Sequence, residues 1–289
     1  MEIKFFNWYG GKIRMLRELT CLVPNCDVYV EPFAGSMALL LNISRKKLEI
    51  VNEYDENMAI LLKIMADEVE WKNLVIRLCQ LDYSKEVFEE AKKSKKNNFI
   101  GLTEMEIAEK VFVLITQSFN STRAGYSHHL YKNGFDYRST LRLKLPQVHK
   151  RLKGVEVQNG DGIDLVEKMS KEEKAFLFLD PPYRPSLRGK GATKVYPHEM
   201  TEEDHIRLLK IIRNAKAKIL LCGYKTKEGV DTYDEYLLPC GWKCYKLCEV
   251  PKSCQNKSEK DIAEEYIWIN YELPQCARYV IALKEHRTI

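Results

Sequence analysis

Ala175-Phe176-Leu177-Phe178-Leu179-Asp180-Pro181-Pro182-Tyr183 decides the fold class and most of the chemistry. Five apolar residues without polar alternation suit a strand buried on both faces, the kind found at the centre of a parallel sheet. The stretch then stops at an acid and two prolines. Proline fixes its own φ and carries no N–H, so the strand cannot continue and the nearby carbonyls are left free to accept hydrogen bonds. Asp180 adds a carboxylate. The result is an acceptor-only site suited to a group with two N–H bonds, such as an exocyclic amine. Tyr183 supplies an aromatic face on which the ring bearing that amine can stack.

Strands and helices alternate on either side of this stretch, as parallel βαβ units require. Val28 to Glu31 is β-rich, Ala38 to Ile43 is an apolar helical run, Leu48 to Val51 is a second strand, and Met58 to Met65 is apolar at helical spacing. From Trp71 to about Phe119 the pattern is helical, with Ala108, Val111, Phe112 and Ile115 forming a core-facing stripe. Lys92 to Asn98 reads as a solvated helix end and turn. Strand character returns at Val155 to Val157. A helix over Glu202 to Asn214 starts behind Thr201, with Asp204 placed for a capping box. Ile219 to Leu221 is a further strand. Trp242 to Val250 and Tyr266 to Tyr271 form a closing antiparallel hairpin across a polar loop. The expected architecture is an α/β sheet built from residues 1–65 and 155–289, interrupted by a helical and basic insertion over 66–154. The sequence has no internal repeats.

The chain has 289 residues, 45% hydrophobic and 30% charged, an ordinary globular composition. No apolar run approaches the roughly 20 residues of a membrane span, and the first turns mix Glu2, Lys4, Trp8 and Arg14, unlike a secretory signal. Nine cysteines at irregular spacing point to reduced thiols in a cytosolic protein. Cys240, Cys244 and Cys248, with Cys254 beyond, are too widely spaced for ordinary structural zinc. On a strand, positions four apart share one face, so these read as half-buried small apolar residues, and no metal is expected.

Charge is uneven. Lys and Arg total 46 against 41 Asp and Glu, a net +5. Between Asn120 and Lys153 eight basic residues (Arg123, Lys132, Arg138, Arg142, Lys144, Lys150, Arg151 and Lys153) face Asp136 alone. His128, His129, His149, Tyr126, Tyr131 and Tyr137 are interleaved with them, a pattern able to contact phosphates and stack on bases, or simply to form a solvated surface. A second acid-free basic run, Arg184, Arg188, Lys190 and Lys194, follows Tyr183 in a loop containing Gly and Pro.

In open α/β sheets ligands bind beyond the carboxyl ends of the strands. After the first strand comes Glu31-Pro32-Phe33-Ala34-Gly35, whose glycine lets the backbone approach a ligand. After the second come Glu53 and Asp55, about 20 residues past that turn, where an acid can accept from the two ribose hydroxyls of a nucleoside cofactor. Either feature alone also fits an ordinary turn or helix cap.

Together these segments resemble a known family. Trp8-Tyr9-Gly10-Gly11-Lys12 is similar to its Trp-Ala-Gly-Gly-Lys, Glu31 to Gly35 to its Glu-Pro-Phe-x-Gly-Gly-Gly, and Asn52-Glu53-Tyr54-Asp55 to its Asn-Asp-x-Asn. Asn159-Gly160-Asp161 stands where the family has an Asp ahead of its catalytic strand. Asp180 to Tyr183 matches unchanged, and Tyr266 to Tyr271 resembles its late Asn-Tyr strand. The family is the DNA adenine N6-methyltransferases of the Dam type (the D12 class). The resemblance implies a Rossmann-like fold, S-adenosylmethionine as cofactor and duplex DNA as substrate. It also implies a cytoplasmic, prokaryotic or phage-encoded protein and a possible cognate restriction endonuclease acting on the same site.

By the same resemblance, Asp180, Pro181, Pro182 and Tyr183 are catalytic, with the target adenine flipped from the duplex onto Tyr183. Trp8, Gly10, Lys12, Pro32, Phe33, Gly35, Glu53, Asp55 and Asp161 serve the cofactor, with Glu53 on its ribose and Asp161 on its adenine. Asp161 reads equally as a turn residue. Arg123, Tyr126, His128, Lys132, Arg138, Arg142, Lys144, Arg184 and Arg188 are the candidate DNA contacts, and the 66–154 insertion is the target-recognition region. Ser36 and Met37 replace family glycines, which implies a stiffer cofactor loop, and Glu53 replaces the commoner Asp. The rival readings are a cytosine N4, RNA adenine or protein glutamine methyltransferase, or a DNA-binding module with a silent cofactor pocket. Cytosine enzymes more often carry Ser, and glutamine enzymes Asn, in place of Asp180.

Overall fold

The structure, a computed structural model, describes residues 2–8, 10–128, 137–187, 199–226, 229–251 and 262–278. Tyr9, His129, Tyr131, Lys132, Arg188, Lys190, Lys194 and Cys254 lie outside the described residues. The chain divides into two compact units, one of residues 1–13, 35–43 and 53–159, the other of 14–34, 44–52 and 160–289.

Seven strands form one sheet in the order β3-β2-β1-β4-β5-β7-β6. They are β1 (Val28–Glu31), β2 (Leu48–Glu53), β3 (Glu156–Asn159), β4 (Ala175–Leu179), β5 (Lys218–Tyr224), β6 (Lys243–Pro251) and β7 (Ile262–Ile269). β1 pairs in parallel with both β2 and β4, and β4 with β5; β7 runs antiparallel between β5 and β6. Every residue of β4 is buried, as its unbroken apolar run requires. Chain order reverses between β1 and β4, and the carboxyl ends of those two strands carry Glu31-Pro32 and Asp180-Pro181. Such a reversal is where open α/β sheets bind ligands.

In the unit of residues 14–34, 44–52 and 160–289, α1 (Leu16–Leu22) buries Leu16, Leu19 and Leu22 ahead of β1. Helices α7 (Gly162–Met169) and α8 (Glu202–Ile212) bury Ile163, Val166, Leu208, Leu209 and Ile212 in a core shared with Val30, Leu177, Leu179 and Trp268. Each such side chain contributes about 1.5–3 kcal/mol on removal from water. Thr201 and Asp204 close the expected capping box on α8: Asp204 N–H donates to Thr201 Oγ1 at 3.1 Å and Thr201 N–H to Asp204 Oδ2 at 2.9 Å.

The other unit is mainly helical: α2 (Glu56–Ala66), α3 (Glu70–Gln80), α4 (Lys85–Lys96), α5 (Glu104–Thr116) and α6 (Tyr137–Leu152). The stripe Ala108, Val111, Phe112 and Ile115 is buried as read. α6 buries Tyr137, Leu141, Leu145, Val148 and Leu152, a helical spacing that leaves its charged residues on other faces.

Two expectations are corrected. Ala38 to Ile43 forms only a short 3-10 turn, Leu40–Asn42. Leu39, Leu40 and Leu41 are all buried, so no solvated face remains for an amphipathic helix. The Asn42 side chain also pairs with the extended Ile3 backbone, accepting from its N–H at 2.8 Å and donating to its carbonyl at 2.7 Å. The cysteines of β6 do not share a face either. A bulge between Lys246 and Cys248 places Cys244 opposite Trp268 and Cys248 opposite Glu265. Positions three apart on β7 point to opposite sides of the sheet. Among the described residues, no group of three or more His, Cys, Asp or Glu is placed to hold a metal ion, and no helix is long and apolar enough to cross a membrane.

Candidate active site

In the sheet unit, Pro32 and Phe33 leave the end of β1 and are pinned from two sides. Asn52 Nδ2 donates to the Pro32 carbonyl at 3.1 Å and to the Gly160 carbonyl at 3.0 Å, while Ala34 N–H donates to the Asn52 carbonyl at 3.0 Å. Asn52 therefore holds the β1 turn and the turn before α7 together. Gly162 completes the arrangement, since a Cβ there would stand 2.6 Å from the Pro32 carbonyl oxygen and 2.7 Å from Phe33 Cε1. Sequence reasoning passed over Asn52 and Gly162 as structural residues, although Asn52 falls inside a quoted motif and Gly162 directly follows one. Asp161 caps α7, accepting from Ile163 N–H at 2.8 Å. Its second oxygen lies 3.1 Å from Arg207 Nη1, and Arg207 Nη2 reaches Asp164 at 2.5 Å.

Beyond β4, Pro181 is buried, while Asp180, Pro182 and Tyr183 are half-buried. The Tyr183 hydroxyl donates to Glu265, a carboxylate on β7 that is only 1% exposed. Burial, and then the charges of Glu265 and Asp180, hold the phenol well above its ordinary pKa, so it stays a protonated donor. Its ring and that of Tyr224 form a T-shaped pair, centres 4.5 Å apart and planes at 75°. Glu265 was missed at the sequence level. Its signal is an acid in an inward register position between Ala263 and Ile267. Arg184, expected on a DNA-facing loop, is buried: Nη2 lies 2.5 Å from Asp231 Oδ2, and the guanidinium sits 4.9 Å from the Tyr233 ring centre.

In the helical unit, Trp8, the Gly10-Gly11 turn and Gly35 pack closely. Gly35 has φ +48°, and a Cβ on it would stand 2.9 Å from Trp8 Nε1. Lys12 is buried with Nζ 3.2 Å from the Gly10 carbonyl. Met37, one of the residues replacing a family glycine, adopts φ +52° with its side chain buried. Glu53 accepts from Asp55 N–H at 3.1 Å. Desolvation in its recess raises its carboxyl to about 7 against the opposing hydrogen bond from Asp55 N–H, and Asp55's charge pushes the same way as the burial. Asp55 caps α2 through Asn57 and Met58 N–H groups and pairs with Arg123 at 2.7 Å. Burial alone would raise the Asp55 carboxyl, but Arg123 and the helix N–H groups outweigh it and hold it below the usual carboxylate range.

The basic segment divides accordingly. Arg123 is buried, its guanidinium 5.1 Å from the Trp8 ring centre as well as on Asp55. Tyr126 is packed among Tyr83, Phe88 and the exposed His128. His149 stacks on Trp71 at 4.4 Å and bonds the Met65 carbonyl. Arg138 pairs with Asp82 at 2.7 Å and Lys153 with Glu68 at 3.0 Å. Arg142 and Lys144 are exposed on α6, and among the described residues neither has an ion-pair partner.

Residues 8–247 match the family described as D12 class N6 adenine-specific DNA methyltransferase. Among curated proteins, the chain is similar to the type II methyltransferase M.MjaIII of Methanocaldococcus jannaschii, 25% identical over 94% of this chain and 100% of that protein. It is 27% identical to the type II methyltransferase M1.LlaDCHI of Lactococcus lactis subsp. cremoris, over 80% of this chain and 84% of the relative. The DNA N-6-adenine-methyltransferase of Escherichia phage P1 is 22% identical over 85% of this chain and 32% of its own length.

Proposed function

This chain belongs to the D12 class of N6 adenine-specific DNA methyltransferases, and from that premise we propose that Asp180, Pro181, Pro182 and Tyr183 receive the target adenine. The observation that carries this reading is their position immediately beyond the fully buried β4, beside β1, where the sheet's chain order reverses. The adenine leaves the duplex and stacks on Tyr183. The Asp180 carboxylate and the Pro181 carbonyl accept hydrogen bonds from its two N6–H groups, which draws the nitrogen lone pair away from the ring. The methylated nitrogen carries a surplus acidic proton, which it sheds without a strong base. The gain comes from positioning and from acceptors fixed in advance.

The family uses S-adenosylmethionine, which when bound supplies an electrophilic methyl group on a sulfonium. The residues present fit such a ligand. In the helical unit, Glu53 offers a desolvated carboxylate suited to two ribose hydroxyls, and the absent side chain of Gly35 lets Trp8 pack directly on the loop backbone. In the sheet unit, Pro32, Phe33 and Asp161 line the paired turns held by Asn52, and we assign Asp161 to the cofactor adenine. For DNA, the described residues that stay exposed for the role are Arg142, Lys144, His128 and Arg138, with Tyr126 half-buried beside His128; Lys132 and Arg188 stay in the reading from the sequence, and Arg123 and Arg184 act inside the protein instead. Residues 66–154 are then the region that meets the duplex, in the cytoplasm of a prokaryotic or phage-infected cell. A cognate endonuclease sharing the site rests on the sequence resemblance.

The test is labelled-methyl transfer to unmodified DNA by the wild-type chain and by Asp180→Ala, followed by base-resolution mapping of the product. N6-methyladenine at one short motif is expected, falling by at least about 100-fold in the variant while cofactor affinity holds. Retained activity in Asp180→Ala removes the assignment.

A further inference from the structure

We propose that Glu265 is a positioning residue for methyl transfer: its buried carboxylate holds the Tyr183 ring in the orientation that receives the target base. This rests on the assignment of Tyr183 above. The antiparallel course of β7 brings its first half beside the carboxyl end of β5, with Glu265 directly opposite Tyr224. Directly opposed residues project to the same face of a sheet. Glu265 and Tyr224 therefore stand side by side, and Tyr183 meets both, its hydroxyl on Glu265 and its ring in a T-shaped contact with Tyr224.

The choice of residue points the same way. Glu265 is 1% exposed, in register with buried Ala263 and Ile267. An apolar side chain would fill that position without the cost of taking a carboxylate out of water, a cost tolerable only where hydrogen bonds meet the charge. What the carboxylate achieves is geometric. Tyr183 follows two prolines on irregular backbone, and its two side-chain torsions are fixed by a tether at the hydroxyl and a T-shaped contact at the ring. A hydroxyl that donates to Glu265 has no proton left to give the base, and the contribution assigned to Tyr183 is its ring face. Orientation set before the base arrives is a rate effect.

The experiment uses the full chain and a duplex carrying the motif found by mapping, with 2-aminopurine in place of the target adenine for the flipping readout. Glu265→Ala is expected to lower the single-turnover methyl-transfer rate about 10- to 100-fold and to reduce the 2-aminopurine signal. Affinity for S-adenosylhomocysteine should stay within about twofold. Glu265→Gln, which keeps an acceptor oxygen, should recover most of the rate, an outcome a merely structural carboxylate does not predict. Tyr183→Phe combined with Glu265→Ala should cost less than the product of the two single effects. Should Glu265→Ala fail to fold, Tyr183→Phe carries the test, since it removes the same tether from the other side and should lower the rate and the signal in the same range. Wild-type rate and signal in Glu265→Ala, or in Tyr183→Phe where Glu265→Ala does not fold, with Tyr183→Ala inactive, overturn the positioning role alone. An active, base-flipping Tyr183→Ala overturns the stacking assignment and this proposal with it.

Discussion

Arg123 Nη1 lies 2.7 Å from Asp55 Oδ2, joining positions 68 residues apart in the chain. The cation that heads the basic segment is thereby committed inside the protein. Its backbone N–H bonds Ser118 Oγ at 3.0 Å, and its guanidinium covers Trp8. Asp55, which follows the ribose-type acid Glu53, is held ionised by it. Arg123 thus connects the segment expected to meet DNA with residues assigned to the cofactor, all within the helical unit.

Removing one member of a buried pair leaves the other charged and unmatched, which costs about 3–5 kcal/mol. Arg123→Ala should therefore lower the denaturant midpoint sharply and weaken binding of S-adenosylhomocysteine. Chemical unfolding followed by calorimetric titration checks both. A direct DNA contact at Arg123 predicts the reverse, with wild-type stability and weakened DNA affinity.

The two acids beside Arg123 should respond to pH in opposite senses. Asp55 is depressed from its usual 3.8, so its contribution to stability is present above that value and is lost as pH falls through its lower folded value. Glu53 is raised from 4.5 to about 7. Its contribution is full below the unfolded value and is lost as pH rises through about 7. Ribose hydroxyls need the ionised Glu53 as acceptor. Affinity for S-adenosylhomocysteine should therefore rise as pH passes through about 7 and level above it. In Glu53→Gln the profile should be flat and the affinity lower. A wild-type profile as flat as the variant's rules out Glu53 as the ribose contact.

Most of the sheet was legible in sequence because buried strands impose a local pattern. Ala175 to Leu179 has no polar alternation, and the capping residues Thr201 and Asp204 mark the start of α8 within four residues. Apart from the β6 cysteines, which a bulge turns to opposite faces, the misreadings share a different cause, a long-range partner. Ala38 to Ile43 looks helical until Asn42 pairs with Ile3. Arg123 and Arg184 look like free surface cations until Asp55 and Asp231 are beside them. Charge counted along the chain cannot tell a cation facing solvent from one facing a distant carboxylate. Glu265 was readable in principle, but an inward acid on a strand carries meaning only once Tyr183 is seen to reach it.

Gly162→Ala places a methyl 2.6 Å from the Pro32 carbonyl oxygen, a distance real side chains do not tolerate. The obstacle is backbone, so relief requires the β1 turn to move. We expect a loss of about 1–3 kcal/mol in stability and at least tenfold weaker S-adenosylhomocysteine binding, measured by thermal unfolding with and without the ligand. Unchanged affinity would separate the β1 turn from the cofactor.

Met37 has the opposite problem, since its backbone sits at φ +52° where glycine is preferred. Met37→Gly relieves about 1 kcal/mol of conformational strain but removes a side chain that is 1% exposed. Truncating a buried Met to Ala already costs about 2–5 kcal/mol. The packing loss is the larger, so the family's glycine should destabilise this protein. A higher unfolding midpoint in the variant would show that the strain dominates.

Arg142 and Lys144 are exposed on α6, and Leu143 between them is 68% exposed. Substituting either cation by Ala should leave stability within about 0.5 kcal/mol, the range for surface positions away from structural features. If the cation neutralises a phosphate, its removal should make the slope of log affinity against log salt shallower by about 0.9. A residue that reads a base behaves differently: it costs about 1–3 kcal/mol against the cognate motif alone and relaxes the choice of base at one position. Fluorescence anisotropy over a salt series, on cognate and scrambled duplexes, separates the two roles. If both variants bind both duplexes with wild-type affinity and wild-type salt slope, α6 does not meet the DNA through these side chains. The phosphates must then be neutralised by other basic residues.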